Sequence, residues 1–144
     1  MNIKKLYLVR HADYAGGGSD PSLSESGLQN ATNLGMNIRR DLGQENVVIW
    51  TSSAARAAET AQNIKQELSL AEVITYPELW SDNSHRFDFD WLKEKLENFT
   101  GENLVIVSHL EYVRMFPRVL GFPGNSAGYS EGVLIENGIC KNFR

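Results

Sequence analysis

The chain has 144 residues, 42% of them hydrophobic and 22% charged, with a formal net charge of −4. That suits one soluble globular domain with one core, gives no general pull toward nucleic acid or an anionic membrane, and includes no apolar run long enough to span a bilayer. The single cysteine, Cys140, excludes an intrachain disulfide and points to packing near the C-terminal strand in a reducing compartment.

Met1–Lys5 leads straight into an apolar run with no signal-peptide pattern, so the expected location is the cytoplasm. Ile3–Val9 reads as a buried strand that ends in Arg10-His11. A central strand tolerates two cations only at its exposed carboxyl end, which in an open α/β sheet is where ligands bind. Gly16–Pro21 is a loop by composition. A helix from about Ser26 to Leu42 places Leu28, Leu34, Ile38 and Leu42 near one face, with Gly43 just past its end. Val47–Thr51 is a short strand followed by Ser52. Ala54–Leu68 then carries Ala57, Ala61, Ile64 and Leu68 at helical spacing, with Arg56 in the first turn.

Glu72–Tyr76 is a strand closed by Pro77, and Asp88–Phe99 is a helix with Leu92, Leu96 and Phe99 on one stripe. Leu104–Val107 is a strand that ends in Ser108-His109. The helix that begins near Leu110 should be kinked or split by Pro117. Val133–Glu136 is the final strand, and Asn137-Gly138 is a tight turn after it. Strands alternating with helices predict an α/β fold. The expected form is a three-layer α/β/α sandwich around a mostly parallel sheet of five to six strands, in a single domain over residues 1–144. There is no internal repeat.

Three strand ends thus deliver Arg10, His11, Arg56 and His109 to a common crevice. Two guanidiniums and two imidazoles repel one another, and the cluster makes sense as the binding place of an anion. Arginine offers phosphate a planar, permanently charged fork, and histidine is a nitrogen nucleophile available near neutral pH. No glycine-rich Walker loop and no zinc-spaced His/Cys cluster competes with this reading.

LVRHA at residues 8–12 with its preceding strand, LSESG ending at Gly27, SSAARAAETA from Ser52 to Ala61, and VIVSH ending at His109 together resemble the histidine phosphatase, or phosphoglycerate mutase-like, superfamily. Four motifs in the correct order cover essentially the whole chain. The resemblance implies that His11 becomes phosphorylated while Arg10, Arg56 and His109 hold the phosphoryl oxygens, with help from the Leu110 backbone. The sequence departs from the family pattern in three places. Ala12 stands where the family has Gly, Leu110 follows Ser-His where many relatives have Gly, and no carboxylate matches the general-acid pattern. Glu78 is taken as the candidate acid, beside Asp82 and Asp13, although each also reads as a solvated carboxylate.

Of the remaining residues, Trp50, Trp80 and Trp91 read as core or rim packing, and His85-Arg86 as a solvated loop. Ser52 reads as a helix cap, and Glu59 as a site neighbour or a surface ion-pair partner. Little chain is left for a lid, and an open cleft suits a large or protein-borne phosphate. The expected activity is a metal-independent, cofactor-free phosphatase with a phosphohistidine intermediate. Its expected substrate is phosphohistidine on a phosphotransfer protein, with no nucleic-acid or membrane partner. A broad phosphomonoesterase and a non-catalytic phosphate- or phosphoprotein-binding module remain open.

Overall fold

The computed structural model describes residues 1–68 and 71–144. Six strands, β1 (Lys5–Arg10), β2 (Val47–Thr51), β3 (Ala71–Thr75), β4 (Asn103–Ser108), β5 (Gly132–Glu136) and β6 (Ile139–Phe143), form one sheet in the order β3-β2-β4-β1-β5-β6. The first four strands pair in parallel, while β5 runs antiparallel to both β1 and β6. The helices are α1 (Glu25–Leu42), α2 (Ala55–Glu67), α3 (Phe89–Glu97) and α4 (Leu110–Val119). No helix among the described residues is long and apolar enough to cross a membrane.

The alternation of side chains along a strand splits the core into two layers. Tyr7, Val9, Val105 and Val107 face one side, against Leu34 and Ile38 of α1 and Ala57, Ala61 and Ile64 of α2. Leu6, Leu8, Leu104 and Ile106 face the other, against Leu92 and Leu96 of α3 and Tyr112, Val113 and Phe116 of α4. Every residue of β4 is buried, as befits a central parallel strand covered on both faces. This is the expected three-layer α/β/α sandwich.

Four local expectations need correction. Leu28 is 43% exposed, because the buried stripe of α1 runs through Gly27, Ala31, Leu34, Ile38 and Leu42, one position off Leu28. Pro117 does not split α4, which runs unbroken from Leu110 to Val119. It leaves the Val113 carbonyl without its helical donor, and Asn125 Nδ2 supplies one at 2.9 Å. The strand after Val133 is not the last. Asn137 and Gly138, both at positive φ, close a tight hairpin into β6, where Cys140 packs partly buried against the second core layer. Glu59 makes no ion pair among the described residues and instead accepts the Leu23 N–H at 3.4 Å.

α1 starts where Ser24 Oγ accepts the Gly27 N–H at 3.0 Å. Gly27 is required at this place. A Cβ there would lie 2.0 Å from the Asp13 carbonyl oxygen, so only glycine lets α1 press against the chain just past His11.

Candidate active site

The sheet order puts the carboxyl ends of β1, β2 and β4 side by side, and the pairing continues past the strands. His11 N–H donates to Ser108 O at 3.0 Å, and Ser52 N–H donates to Val107 O at 3.1 Å. The three polar turns are therefore fixed to one another by backbone. Arg10, His11, Arg56, His109 and Leu110 line a single cleft of about 180 Å³ with Tyr14, Ser81, Asp82, Asn83 and Glu111. A roomier hollow of about 500 Å³ lies around Asn46, Ala71 and Asn103, at the start of the strands, and lacks convergent cations.

His11 is 3% exposed. Its Nδ1 lies 2.8 Å from the Ala12 carbonyl oxygen, which can only accept. Nδ1 therefore carries the proton, and Nε2 keeps its lone pair. Burial lowers the pKa to about 4, aided by the Arg56 and Arg10 charges and opposed by the bond to Ala12, so the ring is neutral at physiological pH. Ala12 meets no strain in the glycine-like position, since its φ is not positive. Its N–H donates to Thr60 Oγ1 at 2.9 Å, and Thr60 Oγ1 donates to Arg56 O at 2.7 Å. One threonine thus ties the His11 turn to the helix that carries Arg56.

His109 lies with its ring centre 5.1 Å from that of His11. Its Nε2 is 2.8 Å from Ser52 Oγ, and its Nδ1 is 3.5 Å from Arg56 Nη2. Burial, together with His11 and Arg56, depresses its pKa to about 2. Ser52 Oγ also accepts the Ala54 N–H at 3.2 Å. The residue read as a cap therefore joins the start of α2 to the second imidazole, while Asp20 Oδ1 caps α2 by accepting the Ala55 N–H at 2.7 Å.

The guanidiniums are held but not saturated. Arg10 Nη1 donates to Ala127 O at 3.2 Å, and its Cζ sits 4.2 Å from the Tyr129 ring centre. Arg56 Nη2 is 3.5 Å from Asp82 Oδ2. The Nε of each is buried and has no hydrogen-bond partner among the described residues. Buried, undischarged donors on two permanent cations are what a tetrahedral oxyanion satisfies.

The carboxylates take other parts. Glu78 does not reach the cleft. It lies exposed on a 3-10 turn (Pro77–Leu79) whose backbone is anchored by Tyr112, the Tyr112 hydroxyl donating to Glu78 O at 2.5 Å. Asp13 is committed to the start of α1, its Oδ2 accepting Ser24 Oγ at 3.1 Å. Asp82 does line the cleft. Burial alone would raise its pKa, but donors from His85, Trp80 Nε1 and the Ser84 and His85 amides outweigh burial and hold the carboxyl well below the usual range. It stays ionised and acts as an anchor for Arg56 and the loop around it. Glu111 also lines the cleft, accepting Ser81 Oγ at 3.0 Å.

Sequence reasoning missed the aromatic wall. Trp50 is core and Trp91 packs on Tyr76, as expected. Trp80, however, stacks on His85 at 4.0 Å and lies parallel to His109 at 6.3 Å. Tyr14 and Tyr129 flank His11. Tyr129 sits in an irregular turn before β5 whose Ser130, at φ 59, donates its N–H to His11 O at 3.2 Å. No local motif marks that turn. Among the described residues no group of three or more His, Cys, Asp or Glu is placed to hold a metal ion.

In fold the chain is similar to the protein histidine phosphatase SixA solved with tungstate, at 22% identity and TM-score 0.78, covering 97% of this chain and 94% of that one. It is similar to phosphoglycerate mutase from Plasmodium falciparum at 21% identity and TM-score 0.69, with 98% and 89% covered. It is also similar to a mycobacterial glucosyl-3-phosphoglycerate phosphatase solved with VO3, at 14% identity and TM-score 0.69, with 91% and 90% covered. No curated protein matches by sequence. The profile of the histidine phosphatase superfamily (branch 1) matches residues 6–81, which include the His11 and Arg56 motifs. The chain belongs to the histidine phosphatase superfamily and is a phosphatase of phosphoglycerate mutase-like fold.

Proposed function

We propose that the chain hydrolyses phosphohistidine on a phosphotransfer protein of the cytoplasm, through a phosphoryl group carried on His11. The observation that carries the reading is the bond from His11 Nδ1 to Ala12 O, which leaves the opposite nitrogen with a lone pair among Arg10, Arg56 and His109. In the first step His11 Nε2 attacks phosphorus, the bond from phosphorus to the substrate nitrogen breaks, and the departing imidazole carries its own proton. In the second step water attacks phosphorus, the P–Nε2 bond breaks with its electron pair returning to Nε2, and the water protons leave on inorganic phosphate, restoring neutral His11. Arg10 and Arg56 hold the equatorial oxygens through bidentate hydrogen bonds. The arriving negative charge offsets the burial and the neighbouring Arg56 charge that keep His109 neutral, so its Nδ1 takes up a proton and becomes a third donor. These three groups supply the positive charge that Mg²⁺ supplies elsewhere, and turnover should survive EDTA.

The choice of a P–N bond rests on the carboxylates. An alkoxide leaving group gains much from a positioned acid, whereas imidazole is protonated near neutral pH without one. Glu78 is remote, Asp13 is engaged, and Asp82 is held ionised. The fold likeness to a protein histidine phosphatase points the same way. A phosphomonoesterase is the second reading, favoured by the Glu111 carboxylate on the cleft wall. The test compares a phosphohistidine-bearing phosphotransfer domain, 3-phosphoglycerate and p-nitrophenyl phosphate. The proposal expects the first to have the highest kcat/KM. A preference for either ester by orders of magnitude overturns it, and binding of phosphate without turnover of any of the three returns the non-catalytic module.

A further inference from the structure

The rings of Tyr14 and Tyr129 lie 5.6 and 5.7 Å from the His11 ring and 5.9 Å from each other. They arrive from unrelated segments: Tyr14 bridges to Leu23 in the loop after β1, and Tyr129 comes from the turn before β5. Each also meets a phosphate-binding cation, Tyr129 with Arg10 at 4.2 Å and Tyr14 with Arg56 at 5.3 Å. Yet they are 37–38% exposed, while His11 beside them is 3% exposed. Rings used only for packing would be buried. Tyr14 lines the cleft of the buried nucleophile, and Tyr129 stands exposed beside both Tyr14 and His11.

In-line transfer places the leaving group on the side of phosphorus away from His11, toward the opening. We propose that Tyr14 and Tyr129 form a leaving-group subsite that takes a planar aromatic ring bonded to the phosphoryl group, of which phosphorylated imidazole is the substrate form. This rests on His11 as the phosphoryl acceptor. Aromatic rings associate at centroid separations of about 4.5–7 Å, the range within which the two tyrosines already meet the His11 imidazole, tilted at 59° and 38° to it. A saturated or extended leaving group would find no matching surface.

Phosphonates cannot be hydrolysed and so report binding alone. Titration of the full chain with phenyl-, cyclohexyl- and methylphosphonate should give about tenfold tighter binding of the phenyl compound than of either other, the gain expected of two ring contacts. The double variant Tyr14→Leu/Tyr129→Leu should reduce that preference to about twofold. On the unaltered protein, NOEs from the phenyl protons should reach both tyrosines, a readout that does not depend on any variant folding. Equal affinity for phenyl- and cyclohexylphosphonate, a preference that survives the double variant, or absent NOEs would each overturn the subsite. Phosphoimidazole and phosphoramidate, assayed in parallel, separate the two claims. Loss of turnover on both, with the phenyl preference intact, removes the phosphohistidine reading and leaves the subsite standing.

Discussion

Ser52 Oγ and His109 Nε2 lie 2.8 Å apart, a hydrogen bond between the ends of β2 and β4 that fixes which face of the His109 ring looks into the cleft. With Nε2–H donating to Ser52, Nδ1 is the nitrogen turned to Arg56 and to an incoming anion. Ser52→Ala should keep the fold but release the ring. Loss of one buried hydrogen bond, about 1–1.5 kcal/mol, corresponds to roughly a tenfold fall in kcat. His109→Ala removes the donor itself and should cost about 100- to 1,000-fold. Steady-state kinetics of both variants checks the order; a Ser52 variant as slow as the His109 variant would contradict it.

The two buried imidazoles make stability depend on pH. The folded pKa of His11 is about 4 against an ordinary value of 6.5, so between those values the unfolded chain binds more protons. Stability is fully present above about 6.5 and falls as pH drops toward 4, with His109 extending the loss further down. Urea unfolding should give a lower midpoint at pH 5 than at pH 7.5. An unchanged or higher midpoint at pH 5 would mean that neither ring is held neutral.

Gly27→Ala should destabilise the protein by about 1–3 kcal/mol, an overpacking cost, because the new Cβ meets the Asp13 carbonyl oxygen at 2.0 Å. Thermal melting measures it. Since the clash pushes on the chain just past His11, kcat should fall as well; a variant with wild-type Tm and rate would show that the close approach does not matter.

Glu78→Gln should leave kcat within about twofold of the wild type, the ordinary outcome for an exposed side chain outside the cleft. The same variant with a steep loss on p-nitrophenyl phosphate would restore Glu78 as an acid. Glu111→Gln is the comparison: a loss confined to ester substrates would support the second functional reading.

How legible the site was in the sequence follows from how local each signal is. Arg10, His11 and His109 each follow an apolar run at a strand end, and Arg56 sits in the first turn of a periodic helix, so strand-end logic places all four. Ser52, Thr60 and Asp82 owe their roles to partners 26 to 57 residues away, which no spacing reveals. Tyr129 projects from an irregular turn set by Ser130 at positive φ, a conformation that serine does not advertise. In the fold, α4 stays unsplit at Pro117 because the donor that Val113 loses is replaced by Asn125, outside the helix, where helical periodicity gives no sign of it. The hairpin into β6 was half legible: its Asn-Gly turn was plain, but Ile139–Phe143 is mostly exposed and lacks a clean apolar alternation.

Both steps of the proposed hydrolysis pass through a phosphoryl group on His11. The direct measurement is rapid quenching of the protein with a ³²P-labelled phosphohistidine domain, followed by acid and base treatment of the trapped chain. The account predicts a label that is lost in acid, survives base, maps to the peptide containing His11, and is absent in His11→Ala, together with all turnover. A stable label elsewhere, or substantial hydrolysis by pure His11→Ala, would contradict it.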